Sequence, residues 1–215
     1  NGNFDATVNP PTFPNADITF TSNGLLELAG GTNYLGDLST TAGTVTYDGA
    51  TQDVVSDTYY NLVISSGTHT AGGAIVANGA LTVSGTLALG SNSATVSGAT
   101  DINGTLTIST GTFDANGTFD ATGGNVTFTG AGIMRLGGVV TSLGTFTKST
   151  STVEYDYAST SLIDQQNYYN LEIDGNCLTA VSYGTTSVEN ELKINTGSKL
   201  AVAGALSPAS VDIDG

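Results

Sequence analysis

The sequence predicts an all-β protein, a right-handed parallel β-helix (a β-solenoid) of roughly ten short coils. Three observations predict it: a composition of strand and turn formers, short alternating apolar segments, and a long internal duplication. The chain has 29 Gly among 215 residues but only four Lys and Arg together. Thr, Val, Ser, Asn and Asp are abundant, and stretches typical of helices are nearly absent.

Short pairs of apolar residues, separated by one residue, indicate strands with one buried and one exposed face. The pairs are Leu81/Val83, Leu87/Leu89, Leu106/Ile108, Val126/Phe128, Val153/Tyr155, Leu171/Ile173, Leu192/Ile194 and Leu200/Val202. The residues predicted to face outward include Thr82, Thr107, Thr127, Glu154, Glu172 and Lys193. Gly, Asn, Asp and Ser lie between the strands, where we expect positive φ and Asx turns. Three such strands close one coil of about 20 residues.

A long stretch of the chain is duplicated. A shift of 108 residues places 18–49 on 126–157, and the phrase TYYNL at 58–62 returns as NYYNL at 167–171. We therefore predict one continuous solenoid over 1–215, with copy 1 at 1–115 and an incomplete copy 2 at 116–215. In copy 1, we expect Leu62 and Ile64 inside the coil and Asn61 in a turn or ladder.

The alternative architecture is a pair of Ig-like β-sandwiches of about 108 residues each. It requires longer strands, a linker between the copies and prolines at the domain boundaries. The four prolines lie near the two ends, at positions 10, 11, 14 and 208, and no linker stands near residue 115. This comparison favours the solenoid and leaves the sandwiches as the second choice.

Charge limits the partners. Nineteen carboxylates against four cations (Arg135, Lys148, Lys193 and Lys199) give a net charge of −15, which repels nucleic acid and anionic membranes. No apolar run reaches the roughly 18 residues of a membrane span, so we expect no membrane insertion. The chain starts at Asn1 without Met or a signal peptide, as expected of a processed product or a piece of something longer.

Few residues suggest catalysis. His69, in GTHTAGG, is the single histidine and has no counterpart in copy 2, so we expect an exposed structural residue in a turn or strand. Nucleophile elbows, phosphate loops, zinc spacings and dinucleotide fingerprints are absent from the sequence. Cys177 is the single cysteine and is expected to be a small buried residue. We predict no enzyme and no catalytic or cofactor-binding residues. The sequence leaves one alternative open, a hydrolase whose paired carboxylates are brought together by the stacking of coils.

Calcium is the one cofactor candidate, and a weak one. Asp212 and Asp214 share one face of a strand, and Asp101 lies beside Asn103 in the related TDING segment. Such hard oxygen ligands suit Ca²⁺. The sequence has neither the repeated glycine-rich nonapeptide nor an EF-hand loop, so ordinary Asx turns are favoured.

Threonine motifs raise the question of ice binding, because flat threonine arrays on solenoids can bind ice. Thr-x-Thr occurs at 19–21, 44–46, 105–107, 127–129 and 145–147. These positions are unevenly spaced along the chain, which predicts no regular array from coil to coil. Threonine is also common in strands, so the sequence favours an ordinary structural role.

Segment 44–89 resembles a repeat of very large bacterial surface and secreted proteins. In that repeat, a V-x-Y-D-G…Y-x-N-L-x-I phrase precedes G-x-L-T-V…G-T-L coils, and both occur here at 45–64 and 79–87. The style is similar to that of filamentous-haemagglutinin-like adhesins. The resemblance implies a right-handed parallel β-helix outside the cell or on its surface. Copy 2 departs from it at 155–160, where YDYAST replaces YDGATQ.

The functional expectation is a non-enzymatic structural or adhesive solenoid, acting as a stiff surface spacer or a filament-forming subunit. Unpaired edges at the ends of a solenoid predict self-association end to end, or stacking on further repeats of the same chain. Surface glycans are the other candidate partner. The alternative function is that of a carbohydrate-binding or carbohydrate-active β-helix.

Overall fold

The fold is a stack of about nine parallel β-solenoid turns. The computed structural model describes residues 4–5, 18–31, 34–157, 162–174, 178–181, 185–202 and 204–214. Within these residues, the regular structure is all strand, and every strand pairing is parallel. The predicted parallel solenoid is confirmed. The alternative of Ig-like sandwiches is wrong, because their sheets are antiparallel.

The described residues form 27 strands, and those from β3 to β20 follow one another with short corners. The first fourteen are β1 (Phe4–Asp5), β2 (Leu25–Leu28), β3 (Thr44–Tyr47), β4 (Thr51–Val54), β5 (Thr58–Tyr59), β6 (Asn61–Ile64), β7 (Thr68–Ala71), β8 (Ile75–Ala77), β9 (Leu81–Val83), β10 (Thr86–Gly90), β11 (Ser93–Val96), β12 (Thr100–Ile102), β13 (Thr105–Ile108) and β14 (Thr112–Ala115). The others are β15 (Phe119–Asp120), β16 (Asn125–Phe128), β17 (Ile133–Leu136), β18 (Val140–Ser142), β19 (Thr145–Thr147), β20 (Thr152–Tyr155), β21 (Leu162–Ile163), β22 (Asn167–Ile173), β23 (Leu178–Val181), β24 (Thr185–Ile194), β25 (Lys199–Val202), β26 (Ala205–Pro208) and β27 (Val211–Ile213).

Each turn from β3 to β20 places three strands on three faces. Face 1 consists of β1, β2, β3, β6, β9, β12, β15 and β18; face 2 of β4, β7, β10, β13, β16 and β19; and face 3 of β5, β8, β11, β14, β17 and β20, continued by parts of β22, β24 and β27. Val45 pairs with Leu62, 17 residues later, and Leu62 pairs with Leu81 after a further 19. These lengths are close to the predicted coil.

Beyond β20, single strands span more than one pairing region. Asn167 and Tyr168 of β22 pair with β24 in one register, and the rest of β22 pairs with it after a register shift. The first part of β24 then pairs with β26 and its last part with β27. β21, β23 and β25 form a separate three-stranded sheet.

Inward side chains stack on their equivalents in the next turn and form the core. One such row on face 3 consists of Ile75, Ala94, Phe113, Met134, Val153, Leu171 and Leu192, all buried. The predicted apolar pairs from Leu81/Val83 to Leu171/Ile173 are likewise buried, which confirms the strand pattern. Each fully buried Val, Leu or Ile contributes about 1.5–3 kcal/mol.

Four predicted positions differ from the pattern, and of these Ile194 and Leu200 are half-buried instead of buried. Val202 is exposed, because β25 is the outermost described strand of its sheet. Glu154 faces outward as predicted but is nearly buried, since Arg135 from the preceding turn covers it with an Nε–Oε2 distance of 2.8 Å. Ionic contact between turns therefore hides a charged side chain that period-two alternation alone would leave in water.

Stacked glycines allow successive turns to approach at two corners. A Cβ atom on Gly104, between faces 1 and 2, would collide with the carbonyl oxygen of Gly85. One on Gly117, between faces 3 and 1, would collide with the carbonyl oxygen of Gly98. None of these four glycines has a positive φ. The expectation of positive φ is wrong here, and the requirement is close backbone approach.

The two copies of the repeat present equivalent residues on different faces. Leu26 lies in β2 on face 1, whereas its equivalent, Met134, lies in β17 on face 3. Val45 in β3 and Val153 in β20 show the same displacement. The repeat of 108 residues therefore spans five turns and two further faces. Equivalent side chains in the two copies are rotated by one face about the solenoid axis.

Candidate functional site

In copy 1, the first tyrosine of the Tyr-Tyr-Asn-Leu phrase joins Tyr47 in a buried hydrogen-bond network at the corner between faces 2 and 3. The hydroxyl oxygens of Tyr47 and Tyr59 lie 3.0 Å apart. Tyr59 donates to the carbonyl oxygen of Val55 at 2.6 Å, and the Val55 amide donates to Tyr47 at 3.0 Å. Two phenols thus hold the backbone of the corner that joins β4 to β5.

Copy 2 repeats this network. The hydroxyl oxygens of Tyr155 and Tyr168 lie 3.2 Å apart. Tyr168 donates to the carbonyl oxygen of Asp164 at 2.7 Å, and the Asp164 amide donates to Tyr155 at 3.2 Å. Burial raises the pKa of both phenols far above its ordinary value. Both hydroxyls are buried and hydrogen-bonded to the backbone, which indicates a structural role.

The asparagine of the phrase links successive turns. Asn61 donates through Nδ2 to Thr44 Oγ1 at 3.5 Å and accepts from the Ala80 amide at 2.9 Å. Its equivalent, Asn170, donates to Thr152 Oγ1 at 3.2 Å. The predicted ladder role of Asn61 is confirmed, and Leu62 and Ile64 are buried as predicted.

His69 is fully buried, so the prediction of an exposed histidine is wrong. Its Nε2 lies 2.6 Å from the carbonyl oxygen of Ser66, and its ring packs edge-on against Tyr47 with centroids 6.1 Å apart. Thr68 and Thr70 face outward in β7, and strand alternation turns the residue between them inward. His69 aligns with Gln52 of β4 in the inward-facing row of face 2. This packing places the single histidine away from solvent.

Face 3 carries a row of acidic and basic side chains, here called the face 3 charge row. In register from turn to turn, it consists of Asp114, Arg135, Glu154, Glu172, Lys193 and Asp212. Arg135 contacts Glu154 at 2.8 Å, and Lys193 Nζ lies 3.0 Å from Glu172 Oε1. The row thereby positions two of the chain's four cations beside carboxylates.

Asp156 lies beside the charge row and is half-buried. Burial is the main cause that raises the pKa of its carboxyl, and the negative charges of Glu154 and Asp114 raise it further. Its Oδ1 is buried and has no hydrogen-bond partner among the described residues. The ionised form of this carboxyl is therefore disfavoured by folding.

The calcium candidates are not brought together. Asp101 lies in β12 on face 1, where its Oδ2 accepts a 3.0 Å hydrogen bond from Asn103. Asp212 and Asp214 lie at β27, and Asp214 Oδ2 is 3.9 Å from Lys193 Nζ. Across the described part of the chain, no group of three or more His, Cys, Asp or Glu side chains is arranged to hold a metal ion. Cys177 lies outside the described residues.

Face 2 carries two outward rows of mostly threonine, here called the face 2 threonine array. One row consists of Thr51, Thr68, Thr86, Thr105, Asn125 and Thr145, aligned residue by residue across six strands. The parallel row consists of Asp53, Thr70, Ala88, Thr107, Thr127 and Thr147. β7, β13 and β19 each supply a complete Thr-x-Thr.

The prediction that these threonines form no regular array is wrong for three of the five motifs. The motifs at 105–107 and 145–147 belong to the array, and 127–129 contributes Thr127. The motif at 44–46 lies on face 1, and 19–21 lies outside the named strands. Sequence reading missed Thr68 and Thr70. The prediction compared the positions of Thr-x-Thr motifs along the chain. An alignment of each threonine with the residue one coil later would have found Thr68 and Thr70.

Comparison of the chain with protein-family models, with curated proteins and with solved structures finds no match. In the described residues, no helix is long and apolar enough to cross a membrane. The chain is a β-solenoid built from repeated sequence.

Proposed function

We propose that this β-solenoid is an extracellular structural or adhesive element of a bacterial surface protein, acting as a stiff spacer or filament-forming subunit. The observation that carries the proposal is the continuous core row on face 3. From Ile75 to Leu192 it passes through seven strands without a polar or missing member. A core of this kind extends along one axis instead of enclosing a site.

Stiffness follows from the way the turns are joined. About nine turns at roughly 4.8 Å each give a stack of roughly 40 Å. Bending the stack would stretch the ladder hydrogen bonds of one face and compress the side chains of another. The glycine corners add close backbone contacts between turns. These features favour a spacer that transmits force or holds distance.

The non-enzymatic reading is supported by where the reactive groups lie. The single histidine is in the core, and the buried phenols are held by backbone groups. The charge row pairs its cations with neighbouring carboxylates. The resemblance to filamentous-haemagglutinin-like repeats supports the surface location as part of this proposal.

The turn at the C-terminal end of the stack supports association through the ends. In one core row of face 3, Leu192 is buried, but Val211 in the next turn is 53% exposed. In the adjacent row, Ile173 is buried and Ile213 is 66% exposed. These side chains continue the core without a described turn over them. We propose that another solenoid turn covers them, supplied either by a second copy of the chain or by further repeats of the same chain.

The test is the size and shape of the purified chain as a function of concentration, by light scattering and negative-stain electron microscopy. We expect rods that lengthen end to end as concentration rises. Ile213→Lys places a charge in the apolar end and should abolish the lengthening.

Leu162→Lys is the matched control, because Leu162 is 54% exposed but lies in β21, before the last turns. It should leave association unchanged. A compact monomer at every concentration would refute the filament proposal. If that monomer also depolymerised glycans, the carbohydrate-active alternative would replace it.

A further inference from the structure

The face 2 threonine array has a two-dimensional repeat. Neighbouring rows are two residues apart along a strand, about 6.7 Å, and neighbouring members of a row are one strand apart, about 4.8 Å. The alignment holds across all six strands of face 2, and the one irregularity between β10 and β13 falls after Ala88, at its edge. Outward groups are thus presented on a regular grid.

The side chains of this grid are rigid and chemically uniform. Threonine is β-branched, so its χ1 angle is restricted and its hydroxyl and methyl point in fixed directions. Each hydroxyl can donate one hydrogen bond and accept others. The Asn125 amide donates to Thr105 Oγ1 at 3.4 Å, and the described residues give the other threonines of the array no side-chain hydrogen bond. Their hydroxyls are available to water.

The grid is also uncharged, on a chain whose net charge is −15. Asp53, at the edge of the array, is its single ionisable residue, and both rows from β7 to β19 are neutral. Face 3 has six acidic or basic side chains in one row, and the equivalent row of face 1 includes Glu27, Asp101 and Asp120. A general preference of strands for threonine does not account for this difference between faces.

A partner for such a surface has to be periodic, uncharged and rich in both hydrogen-bond donors and acceptors. The two grid spacings are close to repeat distances between water molecules in hexagonal ice. We propose that the face 2 threonine array binds ice. The hydroxyls hold water molecules at lattice-like positions, and the methyl groups between them order the neighbouring water. Because the strands fix the grid before binding, little conformational entropy is lost.

This site is independent of the proposed spacer role, since a chain can bind ice without forming filaments, or form filaments without binding ice. Strands with two outward threonines alternate with strands that have one. In β10 the other outward position is Ala88, and in β16 it is Asn125. The structure therefore predicts which substitutions improve the array as well as which destroy it.

The experiment measures partition of the purified chain into slowly grown ice, together with thermal hysteresis and the shape of single ice crystals. We expect the chain to enrich in ice and to facet the crystals. Thr107→Tyr puts a bulky ring in the middle of the grid and should abolish both effects. Thr82→Tyr is the matched control, because Thr82 has the same outward position in β9 on face 1.

The double variant Ala88→Thr, Asn125→Thr completes the grid from β7 to β19 and should raise thermal hysteresis several-fold at equal concentration. Circular dichroism and melting of each variant establish that it is folded. The proposal is overturned if the wild-type chain is excluded from ice like an unrelated acidic protein. It is also overturned if folded Thr82→Tyr loses as much ice partition as folded Thr107→Tyr.

Discussion

The hydroxyl of Tyr47 is hydrogen-bonded to that of Tyr59 inside the solenoid, with 3.0 Å between the oxygens. Tyr155 and Tyr168 repeat the pair one copy later, rotated onto another part of the stack. Each pair bonds both the amide and the carbonyl of a single corner residue, Val55 or Asp164. The first tyrosine of each duplicated phrase and the tyrosine at the end of β3 or β20 therefore form a buried corner clamp.

Tyr59→Phe should destabilise the chain by about 1–3 kcal/mol, because it leaves the Val55 carbonyl and the Tyr47 hydroxyl buried without their partner. Urea unfolding measures the loss. Tyr60→Phe is the control, since Tyr60 is half-buried and lies outside the clamp, and it should change stability by less than about 0.5 kcal/mol. Equal losses in the two variants would mean that the clamp contributes nothing specific.

Stability should fall at alkaline pH. Burial raises the pKa of Tyr47 to about 12 and that of Tyr59, Tyr155 and Tyr168 further, whereas unfolded tyrosine titrates near 10. The stabilisation is complete below about pH 10 and is lost as pH rises, because the unfolded chain releases these protons first. Each phenol contributes up to about 1.4 kcal/mol per pH unit in that range.

The measurement is the urea midpoint from about pH 8 to about pH 12. The fall should be shallower in the double variant Tyr47→Phe, Tyr59→Phe, which removes two of the four phenols. A wild-type midpoint that stays constant to about pH 12 would show that these phenols ionise as readily when folded as when unfolded.

Gly117→Ala should destabilise the stack by about 1–3 kcal/mol, because the new methyl group would collide with the Gly98 carbonyl of the preceding turn. Gly31→Ala is the control, since a Cβ at Gly31 meets open space and should shift stability by less than about 0.5 kcal/mol. Thermal unfolding compares the two. Similar melting temperatures for both variants would contradict the close approach of turns at this corner.

Asp156→Asn should raise the melting temperature at neutral pH. Folding raises the pKa of Asp156, so its ionised form opposes folding above that pKa, and the penalty disappears as pH falls through it. The difference in melting temperature between Asp156→Asn and the wild type should therefore decrease as the pH falls toward about 4. Asp53→Asn, on an exposed position of β4, is the control and should give no comparable gain. A variant less stable than wild type at pH 7 would contradict the sign of this effect.

The strand pattern and the repeat were predictable because they are local. Leu81/Val83 and Leu106/Ile108 alternate within one strand, and the two Tyr-Tyr-Asn-Leu phrases are visible as text. The prediction that His69 is exposed was wrong because no face had been assigned to its neighbours. Thr68 and Thr70 face outward, so the residue between them faces inward. Sequence reading also missed the clamp, since Tyr47 and Tyr59 are joined only when the corner between them closes.

The sequence by itself determined that the chain winds into short parallel strands, that glycine and asparagine lie at the corners, and that the sequence is internally duplicated. The tertiary structure decided which residues align along the axis. Pairing steps vary, for example 17 residues from Val45 to Leu62 and 21 from Phe119 to Val140, because corners differ in length. The threonine array, the charge row and the exchange of faces between copies all depend on those steps, since stacking joins residues a whole turn apart.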